Sequence, residues 1–467
     1  MMESALEHAR RVARRERSPE EIVLEAIGRI EASKPSLNAV IHPRFERALA
    51  EARAWPTGPL AGVPVLMKDT GATLAGEPWH EGLRVARDAR HVATTTAYLT
   101  RRLQAAGCII LGRTNVPELC THVTTEPLAY GATRNPWNPE YSAGGSSGGS
   151  GAAVGAGMVP IAHGTDGGGS VRAPAALCGV LGLKPSRGRI SPGPLFGEVW
   201  AGLSTDGFLA WNARDLAATF DAVAGPAAGD PHPAPLARAT SEALGRSLPQ
   251  LRVGLRTRGA CGGDEAHPDV DALVREAARR FEDAGHRVEE SSPAGLDEEG
   301  PVTWQGLIVS VCLASELAAW SRRLGRPIGL EELEPRNRAA IEAGRAVSGQ
   351  AFLEAREALF AWSRRLGDWF EGFDLLLTPV LTQPGFRIGE LPTEPGPAAQ
   401  AAMRRRLGWL TPPWNVTGQP AISVPAGRTS TGLPVGMQLV ARPGREDLLL
   451  AVAEWLERAS PWPRPAT

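Results

Sequence analysis

Lysine is almost absent from this chain of 467 residues. Only Lys34, Lys68 and Lys184 occur, so 47 of the 50 basic residues are arginine. Arginine stays protonated near neutral pH, whereas a buried lysine can lose its proton. Such a composition indicates that one of the three lysine positions is where arginine would fail chemically.

Cysteine and metal-ligand patterns are also scarce. The five cysteines are an odd, scattered number without a C-x-x-C pair, which argues against a disulfide framework and against a zinc site. The nine histidines form no H-E-x-x-H or comparable spacing. We therefore expect no metal and no other cofactor.

The chain also lacks an excess of either positive or negative charge. The chain has 50 basic and 51 acidic residues and no long block of either sign, which argues against nucleic acid or an anionic membrane as a partner. Residues 1–4 lack a basic segment followed by an apolar core, and no apolar run reads as long enough to span a membrane. We expect a cytoplasmic protein acting on a small neutral substrate, and a homodimer stays open as its oligomeric state.

The order of helices and strands predicts one large α/β unit. A hydrophobic content of 43% is enough for a large core, and strand patterns lie near both ends with helical patterns between them. The expected sheet is mixed and mostly parallel. The expected segments are N-terminal helices (1–59), a catalytic core (60–200), a mainly helical excursion over the site (225–375) and a return to the sheet with a C-terminal helix (376–467).

Two local patterns precede the densest part of the sequence. Ser18–Glu21 is a capping box with proline at the first helical position, and we expect Pro35 to end that helix. The apolar run that ends in Met67, Lys68 and Asp69 predicts a short buried strand with Lys68 at its end. The end of a strand is a common place for a catalytic side chain in an α/β protein.

The densest part is the segment 142–170, which holds two Gly/Ser clusters. Residues 144–149 read GGSSGG and residues 165–170 read TDGGGS. Glycines there let a substrate come close, and successive backbone N–H groups can bind a developing negative charge. A flexible linker is the alternative, but linkers do not alternate with apolar, sheet-like runs such as 159–162. The segment is therefore interpreted as a site.

A serine hydroxyl needs a base before it acts as a nucleophile. The chain has no G-x-S-x-G elbow, and His163 is too close in sequence to Ser170 to be assigned as its partner. Lys68 is the other candidate, provided that burial lowers its pKa by about 3 from about 10.4. The alternative is a surface lysine paired with Asp69, which the scarcity of lysine elsewhere disfavours.

Three motifs in order resemble the amidase signature family. They are GVPVLMKD (62–69), GGSSGGS (144–150) and GTDGGGSVRAPAALCGVLGLKPSRGRIS (164–191), and the likeness continues through 418–425 and 433–440. The resemblance thus covers nearly the whole chain. It implies the family's fold, with helices on both faces of the sheet, and hydrolysis of amides.

The resemblance also implies roles for individual residues. Ser170 is the nucleophile, Ser146 is a bridging serine preceded by a cis peptide bond, and Lys68 is the base. Backbone N–H groups at 167–170 (Gly167, Gly168, Gly169, Ser170) form the oxyanion hole, and the supporting residues are Ser147, Asp166 and Arg172. Many family members have a bulkier residue at the position of Gly167, which predicts a looser oxyanion loop here.

Two further segments indicate which branch of the amidase signature family the chain resembles. TTEPLAYGATRNPWNPEYSAGGSSGGSGAAV (124–154) and GRISPGPL (188–195) are similar to the branch that includes 6-aminohexanoate cyclic-dimer hydrolase, and by analogy Cys120, Thr121 and Cys312 line the substrate pocket. The alternative is the glutaminase component of a tRNA-dependent amidotransferase complex, from whose pattern residues 184–193 and 203–209 depart. A non-catalytic binding protein on the same scaffold is disfavoured because all three triad positions are filled.

Overall fold

A computed structural model of the chain describes residues 3–392 and 397–465. Eleven strands in this part form one sheet. They are β1 (Val40–Pro43), β2 (Pro64–Lys68), β3 (Ile109–Thr114), β4 (Ile161–Asp166), β5 (Leu181–Lys184), β6 (Thr205–Ala210), β7 (Arg252–Leu255), β8 (Arg287–Glu289), β9 (Leu375–Pro379), β10 (Ala421–Arg428) and β11 (Pro434–Ala441).

Helices connect most of these strands. They are α1 (Ala5–Ala13), α2 (Pro19–Leu37), α3 (Phe45–Arg53), α4 (Arg84–Asp88), α5 (Tyr98–Ala105), α6 (Gly148–Gly155), α7 (Arg172–Cys178), α8 (Ala213–Val223), α9 (Pro268–Asp283), α10 (Gly300–Arg323), α11 (Pro335–Arg345), α12 (Gly349–Trp369), α13 (Pro397–Leu407), α14 (Pro413–Val416) and α15 (Glu446–Ala459).

The mixed sheet is confirmed, but its predicted mostly parallel pairing is wrong. Strand order is β1-β3-β2-β4-β6-β5-β10-β11-β9-β7-β8. Four adjacent pairs are parallel and six are antiparallel. Part of the reason is that β5 and β6, and again β10 and β11, follow each other in the chain with no helix between them and pair directly as antiparallel neighbours. Helical crossovers between consecutive strands give parallel neighbours at β2–β3 and β7–β8.

Side chains alternate between two cores on the two faces of the sheet. Val65 and Met67 of β2 point into a core with residues of α5, α8 and α15. Leu66, between them, points into a core with residues of α2, α3 and α6. This period of two along a strand buried on both faces confirms the prediction of helices on both sides.

Helix α2 begins as predicted and ends later. Ser18 accepts a hydrogen bond from the Glu21 N–H and Glu21 reaches back to the Ser18 N–H, as the capping box requires. Pro35 does not end α2, which continues to Leu37 and is capped by Asn38 in the left-handed conformation. A proline in the last turn is tolerated because only one helical hydrogen bond is lost there.

The segment 225–375 contributes to two layers. Its α9, β7 and β8 complete one edge of the sheet, while α10, α11 and α12 pack on one another beside the signature core. Helix α10 has 24 residues and a mean hydropathy of 1.4 over its most apolar window, so by length and composition alone it is able to span a membrane. The expectation of no run of that length is therefore wrong; in the structure this helix contacts α11 and α12.

Candidate active site

The sheet brings the predicted site residues to one edge. Strands β2 and β4 are parallel neighbours, so their carboxyl ends, at Lys68 and Asp166, lie at the same edge. The turn 167–171 continues from β4 into α7. Helix α6 leads back to the start of β4 and packs against it, so Ser146 and Ser147, just before α6, also lie at that edge.

Lys68 is buried and bonded to hydroxyl groups. Its Nζ lies 2.7 Å from Ser146 Oγ and 2.7 Å from Thr165 Oγ1, with the Thr165 carbonyl oxygen at 3.4 Å. Burial lowers the pKa of the Lys68 ammonium below its ordinary value. A neutral amine has two N–H donors and one lone pair, which matches two Thr165 oxygens as acceptors and the Ser146 hydroxyl as donor.

Lys184 provides an internal comparison. It is also fully buried, and burial, followed by the charge of Arg172, lowers its pKa to about 7. Its Nζ donates to the Pro185 carbonyl oxygen at 2.9 Å, a group that cannot give up a proton. Hydroxyl partners, and not burial alone, therefore distinguish Lys68.

The two serines of the predicted relay line the same cavity. The peptide bond between Gly145 and Ser146 is cis. Ser147 ties the two Gly/Ser clusters together, since its N–H donates to the Ser170 carbonyl oxygen at 3.1 Å and its hydroxyl donates to the Thr165 carbonyl oxygen at 3.3 Å.

Asp166 and Arg172 form a buried ion pair beneath the turn. Arg172 donates from Nη2 to Asp166 Oδ1 at 2.7 Å and from Nε to Oδ2 at 2.9 Å. Its remaining hydrogen bonds go to Thr411, Asn415 and Gln438. Burial acts to raise the Asp166 pKa, but the charge and hydrogen bonds of Arg172 hold it well below 3.8. The pair thus fixes the turn in one conformation.

The carboxylate of Asp166 also occupies one of the predicted oxyanion donors. The Gly169 N–H donates to Asp166 Oδ1 at 2.7 Å. A Cβ at Gly169 would lie 2.3 Å from Thr411 Oγ1, whose hydroxyl donates to the Gly168 carbonyl oxygen. Gly169 is thus a structural member of the turn, and Gly167, Gly168 and Ser170 are left as candidate donors to a substrate.

Gly167 is packed under an aromatic ring. A Cβ added there would lie 2.8 Å from the Trp200 ring. The space that a bulkier residue would take is therefore filled by Trp200, which gives a physical reason against the predicted looseness of this loop.

His163 has both ring nitrogens engaged away from Ser170. Its Nε2 donates to Asp206 Oδ1 at 2.8 Å, and its Nδ1 accepts from the Lys68 N–H at 3.3 Å. Because Nδ1 accepts from a backbone N–H it carries no proton, so the ring is neutral, and burial lowers its pKa in the same sense. His163 fixes the backbone of Lys68 and leaves the base role to the amine.

Two cavities meet at Ser170, Cys120 and Trp200. The first cavity has a volume of about 600 Å³ and also contains Ser146, Gly167 and Cys312. The second has a volume of about 700 Å³ and also contains Thr121, Gly168 and Gly169. The structure thus brings all three predicted pocket residues to the walls.

One helix lines both cavities. The N-terminal half of α10 faces the second cavity with Val302, Gly306 and Val309, and its C-terminal half faces the first with Cys312 and Glu316. Partly buried apolar side chains of this helix therefore border the two cavities.

The first cavity contains two carboxyl groups that hydrogen-bond to each other. Glu316 hydrogen-bonds to Glu81 and to the Trp200 indole, and burial, together with the charge of Glu81, raises the Glu316 pKa well above 4.5. Glu81 accepts from the indole N–H groups of Trp79 and Trp320 at 3.1 and 2.8 Å. These two carboxyl groups are partnered within the protein. Over the described residues, no group of three His, Cys, Asp or Glu side chains is arranged to hold a metal ion.

Sequence reasoning missed three contributors to this site. Thr165 stands beside the predicted Asp166, and its place at the end of β4 was the available signal. Trp200 contacts Gly167 from 33 positions away and Thr411 contacts Gly169 from 242 positions away, with no motif around either.

Comparison with known proteins agrees with the geometry. The model of the Amidase family matches residues 21–450. A 6-aminohexanoate-cyclic-dimer hydrolase of Paenarthrobacter ureafaciens is 40% identical, with 99% of this chain and 96% of the relative covered. A solved structure of 6-aminohexanoate cyclic dimer hydrolase complexed with substrate superimposes with a TM-score of 0.95 at 39% identity, covering 99% of this chain and 98% of that one.

A more distant structure bears on the alternative function. The amidase-like component of the glutamyl-tRNA(Gln) amidotransferase from Thermotoga maritima has a TM-score of 0.78 at 26% identity, with 96% of this chain and 94% of that one covered. With the family model spanning most of its length and a full-length relative at 40% identity, this chain belongs to the amidase family.

Proposed function

We propose that this amidase hydrolyses a small carboxylic amide through an acyl-enzyme on Ser170, with Ser146 and Lys68 as the proton relay. The observation that carries the proposal is the hydrogen bond of 2.7 Å between the buried Lys68 amine and the Ser146 hydroxyl, in a cavity that also contains Ser170. Burial lowers the pKa of Lys68, which favours the neutral amine that a general base requires.

Acylation moves one proton along the relay. Neutral Lys68 accepts the Ser146 proton while Ser146 accepts the Ser170 proton, and Ser170 Oγ forms a bond to the amide carbonyl carbon. The carbonyl oxygen becomes an oxyanion, which the N–H groups of Gly167, Gly168 and Ser170 stabilise. The C–N bond then breaks as the relay returns the proton to the leaving nitrogen.

Deacylation repeats the path with water. The relay accepts a proton from water, whose oxygen attacks the ester carbonyl, and returns it to Ser170 Oγ as the C–O bond breaks. A carboxylic acid and an amine are the products. Ser147, Asp166 and Arg172 hold the turn and the relay residues in position and take no part in the proton transfers.

The substrate class follows from similarity and from the walls of the site. The relative with 40% identity is named for opening a cyclic amide, and both cyclic and linear amides remain candidates for this chain. The amidotransferase glutaminase fits less well, because its representative has 26% identity and its sequence pattern at 184–193 is absent here. Cys120, Thr121 and Cys312 are proposed to contact the substrate.

A substrate panel tests this function. Linear amides, cyclic amides and glutamine would be assayed with the wild type, with Ser170→Ala and with the exposed-site control Ser36→Ala. We expect Ser170→Ala to lower kcat at least about 10⁴-fold, because the nucleophile is lost, and Ser36→Ala to match the wild type. Hydrolysis of glutamine alone, and only with a partner protein, would support the amidotransferase glutaminase instead.

A further inference from the structure

The second cavity contains buried hydrogen-bond donors without partners. Three of its lining residues each have a buried side-chain nitrogen that has no hydrogen-bond partner within the described part of the chain. These atoms are Arg336 Nη1, Arg404 Nε and His122 Nε2. Buried polar atoms are nearly always hydrogen-bonded in folded proteins, so three N–H groups without a partner on residues of one cavity wall favour a polar ligand at this wall.

The histidine is a donor at this position. The Thr124 N–H donates to His122 Nδ1 at 3.2 Å, and the Thr124 hydroxyl lies 2.7 Å from the same nitrogen. Because a backbone N–H only donates, Nδ1 is an acceptor and the ring proton is on Nε2. All three orphan atoms therefore carry N–H groups.

Arg336 has no counter-charge among the described residues. Its Nη2 donates to the Thr121 carbonyl oxygen at 2.5 Å, and no carboxylate in the described part of the chain is close enough to change its pKa. Burial lowers its pKa to about 10, which still leaves the guanidinium charged at neutral pH. A buried charge is costly unless it is paired, so this group calls for an anion.

The described part of the cavity wall supplies no such anion. Among the described residues that line it there is no aspartate or glutamate, whereas two arginines are present. Most of the remaining wall is apolar and includes Val302, Val309, Leu313, Leu381, Leu407 and Trp409. The surface therefore combines a cationic anchor with room for a hydrocarbon chain next to Ser170.

We propose that the second cavity binds a carboxylate carried by the amide substrate, with Arg336 as its anchor and His122 and Arg404 as further donors. An aliphatic or aryl spacer separates this carboxylate from the scissile amide and packs on the apolar wall. The inference rests on the proposed amidase function and names its substrate class: amides with a remote carboxylate.

Matched substrate pairs test the proposal. On the acyl side, the mono-4-nitroanilide of adipic acid is compared with the 4-nitroanilide of hexanoic acid. On the amine side, N-acetyl-6-aminohexanoate is compared with N-acetylhexylamine. We expect the carboxylate member of one pair to have a kcat/KM at least about 10-fold higher in the wild type, as a charge-assisted hydrogen bond would give. The pair that shows it identifies the half of the substrate in the second cavity.

Variants assign the preference to the anchor. Arg336→Gln keeps a donor for the Thr121 carbonyl oxygen but removes the charge, and we expect it to lower kcat/KM for the carboxylate substrate about 30-fold while the neutral partner changes less than about 2-fold. Arg345→Gln, at an exposed position on the same helix, is the matched control and should change neither value.

The outcomes separate this inference from the proposed function. Equal kcat/KM values within both pairs in the wild type would overturn the carboxylate site even if Arg336→Gln failed to fold, because that comparison needs no variant. An unchanged preference in Arg336→Gln would overturn the anchor role. Hydrolysis that persists in Ser170→Ala would instead overturn the proposed function.

Discussion

The two cavities that meet at Ser170 have similar volumes, but they differ in whether the protein itself provides partners for the charged groups on their walls. In the first, Glu81 and Glu316 bond to each other and to indole N–H groups, so that the protein itself satisfies them. In the second, Arg336 and Arg404 each have an N–H group without a partner among the described residues. Glu81 and Glu316 in the first cavity are thus satisfied within the protein, whereas the second cavity has donors that, over the described residues, are left for a bound ligand.

This difference shows what an overall charge balance conceals. The chain has a formal net charge of −1, and its sequence predicted a small neutral substrate. Net charge is a sum over the whole surface, while a bound substrate meets only the groups that line its cavity. A carboxylate on one end of the substrate would correct that prediction for the second cavity and leave it in place for the first.

The largest expected effect is common to both cavities. Lys68→Arg should lower kcat about 10³-fold for neutral and carboxylate substrates alike, because arginine cannot act as a neutral base. In the wild type, kcat/KM should rise with pH through the lowered pKa of Lys68, as the amine loses its proton. Lys34→Arg, at an exposed position, is the control. A loss confined to one substrate class would contradict the shared relay.

Next in size is an effect on stability. Asp166→Asn leaves the buried Arg172 without its carboxylate, and we expect the free energy of unfolding in urea to fall by about 3–5 kcal/mol. Because Arg172 holds the folded pKa of Asp166 below 3.8, the stabilisation is present above pH of about 4 and is lost as the pH falls toward that lowered pKa.

The stability experiment has an exposed counterpart. Asp447→Asn breaks an ion pair with Arg445 whose side chains are nearly half exposed, and it should cost at most about 1 kcal/mol. Equal losses for Asp447→Asn and Asp166→Asn would show that the turn does not depend on its buried pair.

A smaller effect is expected on the side of the first cavity. Gly167→Ala places a Cβ 2.8 Å from the Trp200 ring, so the ring or the turn must shift, and we expect kcat to fall about 10-fold. Gly197→Ala is the matched control, since an added Cβ there meets no atom within 4 Å. If Gly167→Ala kept full activity, the oxyanion donors would tolerate movement of the Trp200 wall.

The smallest effects should separate the cavities. Cys312 lines the first cavity and Thr121 lines the second. We expect each of Cys312→Ala and Thr121→Val to change KM by about 3-fold. Cys312→Ala should do so for substrates that differ in the half bound in the first cavity, and Thr121→Val for substrates that differ in the half bound in the second. Steady-state kinetics on the matched pairs would show this, and identical KM shifts across both series would mean that the cavities act as one.

Much of the fold was predictable because its signals are local. The capping box at Ser18 and the buried strand that ends at Lys68 each depend on neighbouring residues, and both are present. Pairing was less predictable. Whether two strands that follow each other join directly depends on the loop between them, and β5 and β6 are joined by a long one that nonetheless leaves them adjacent.

The site divides in the same way. Its motif residues Lys68, Ser146 and Ser170 were identified from the sequence, and the structure brings them to one edge of the sheet. Arg336 was missed because its significance depends on there being no carboxylate among the described residues of the cavity wall, which no local sequence pattern reports. A sequence pattern reports which groups are present, whereas an orphan donor appears only after every contact is known.

Helix α10 runs along both cavities, and its N-terminal half lines the second cavity while its C-terminal half lines the first. A mutation near its N-terminus should therefore affect one end of the bound substrate, and a mutation near its C-terminus the other end, without changing the catalytic residues. Substitutions along this one helix are therefore expected to change the amide specificity while the catalytic residues stay in place.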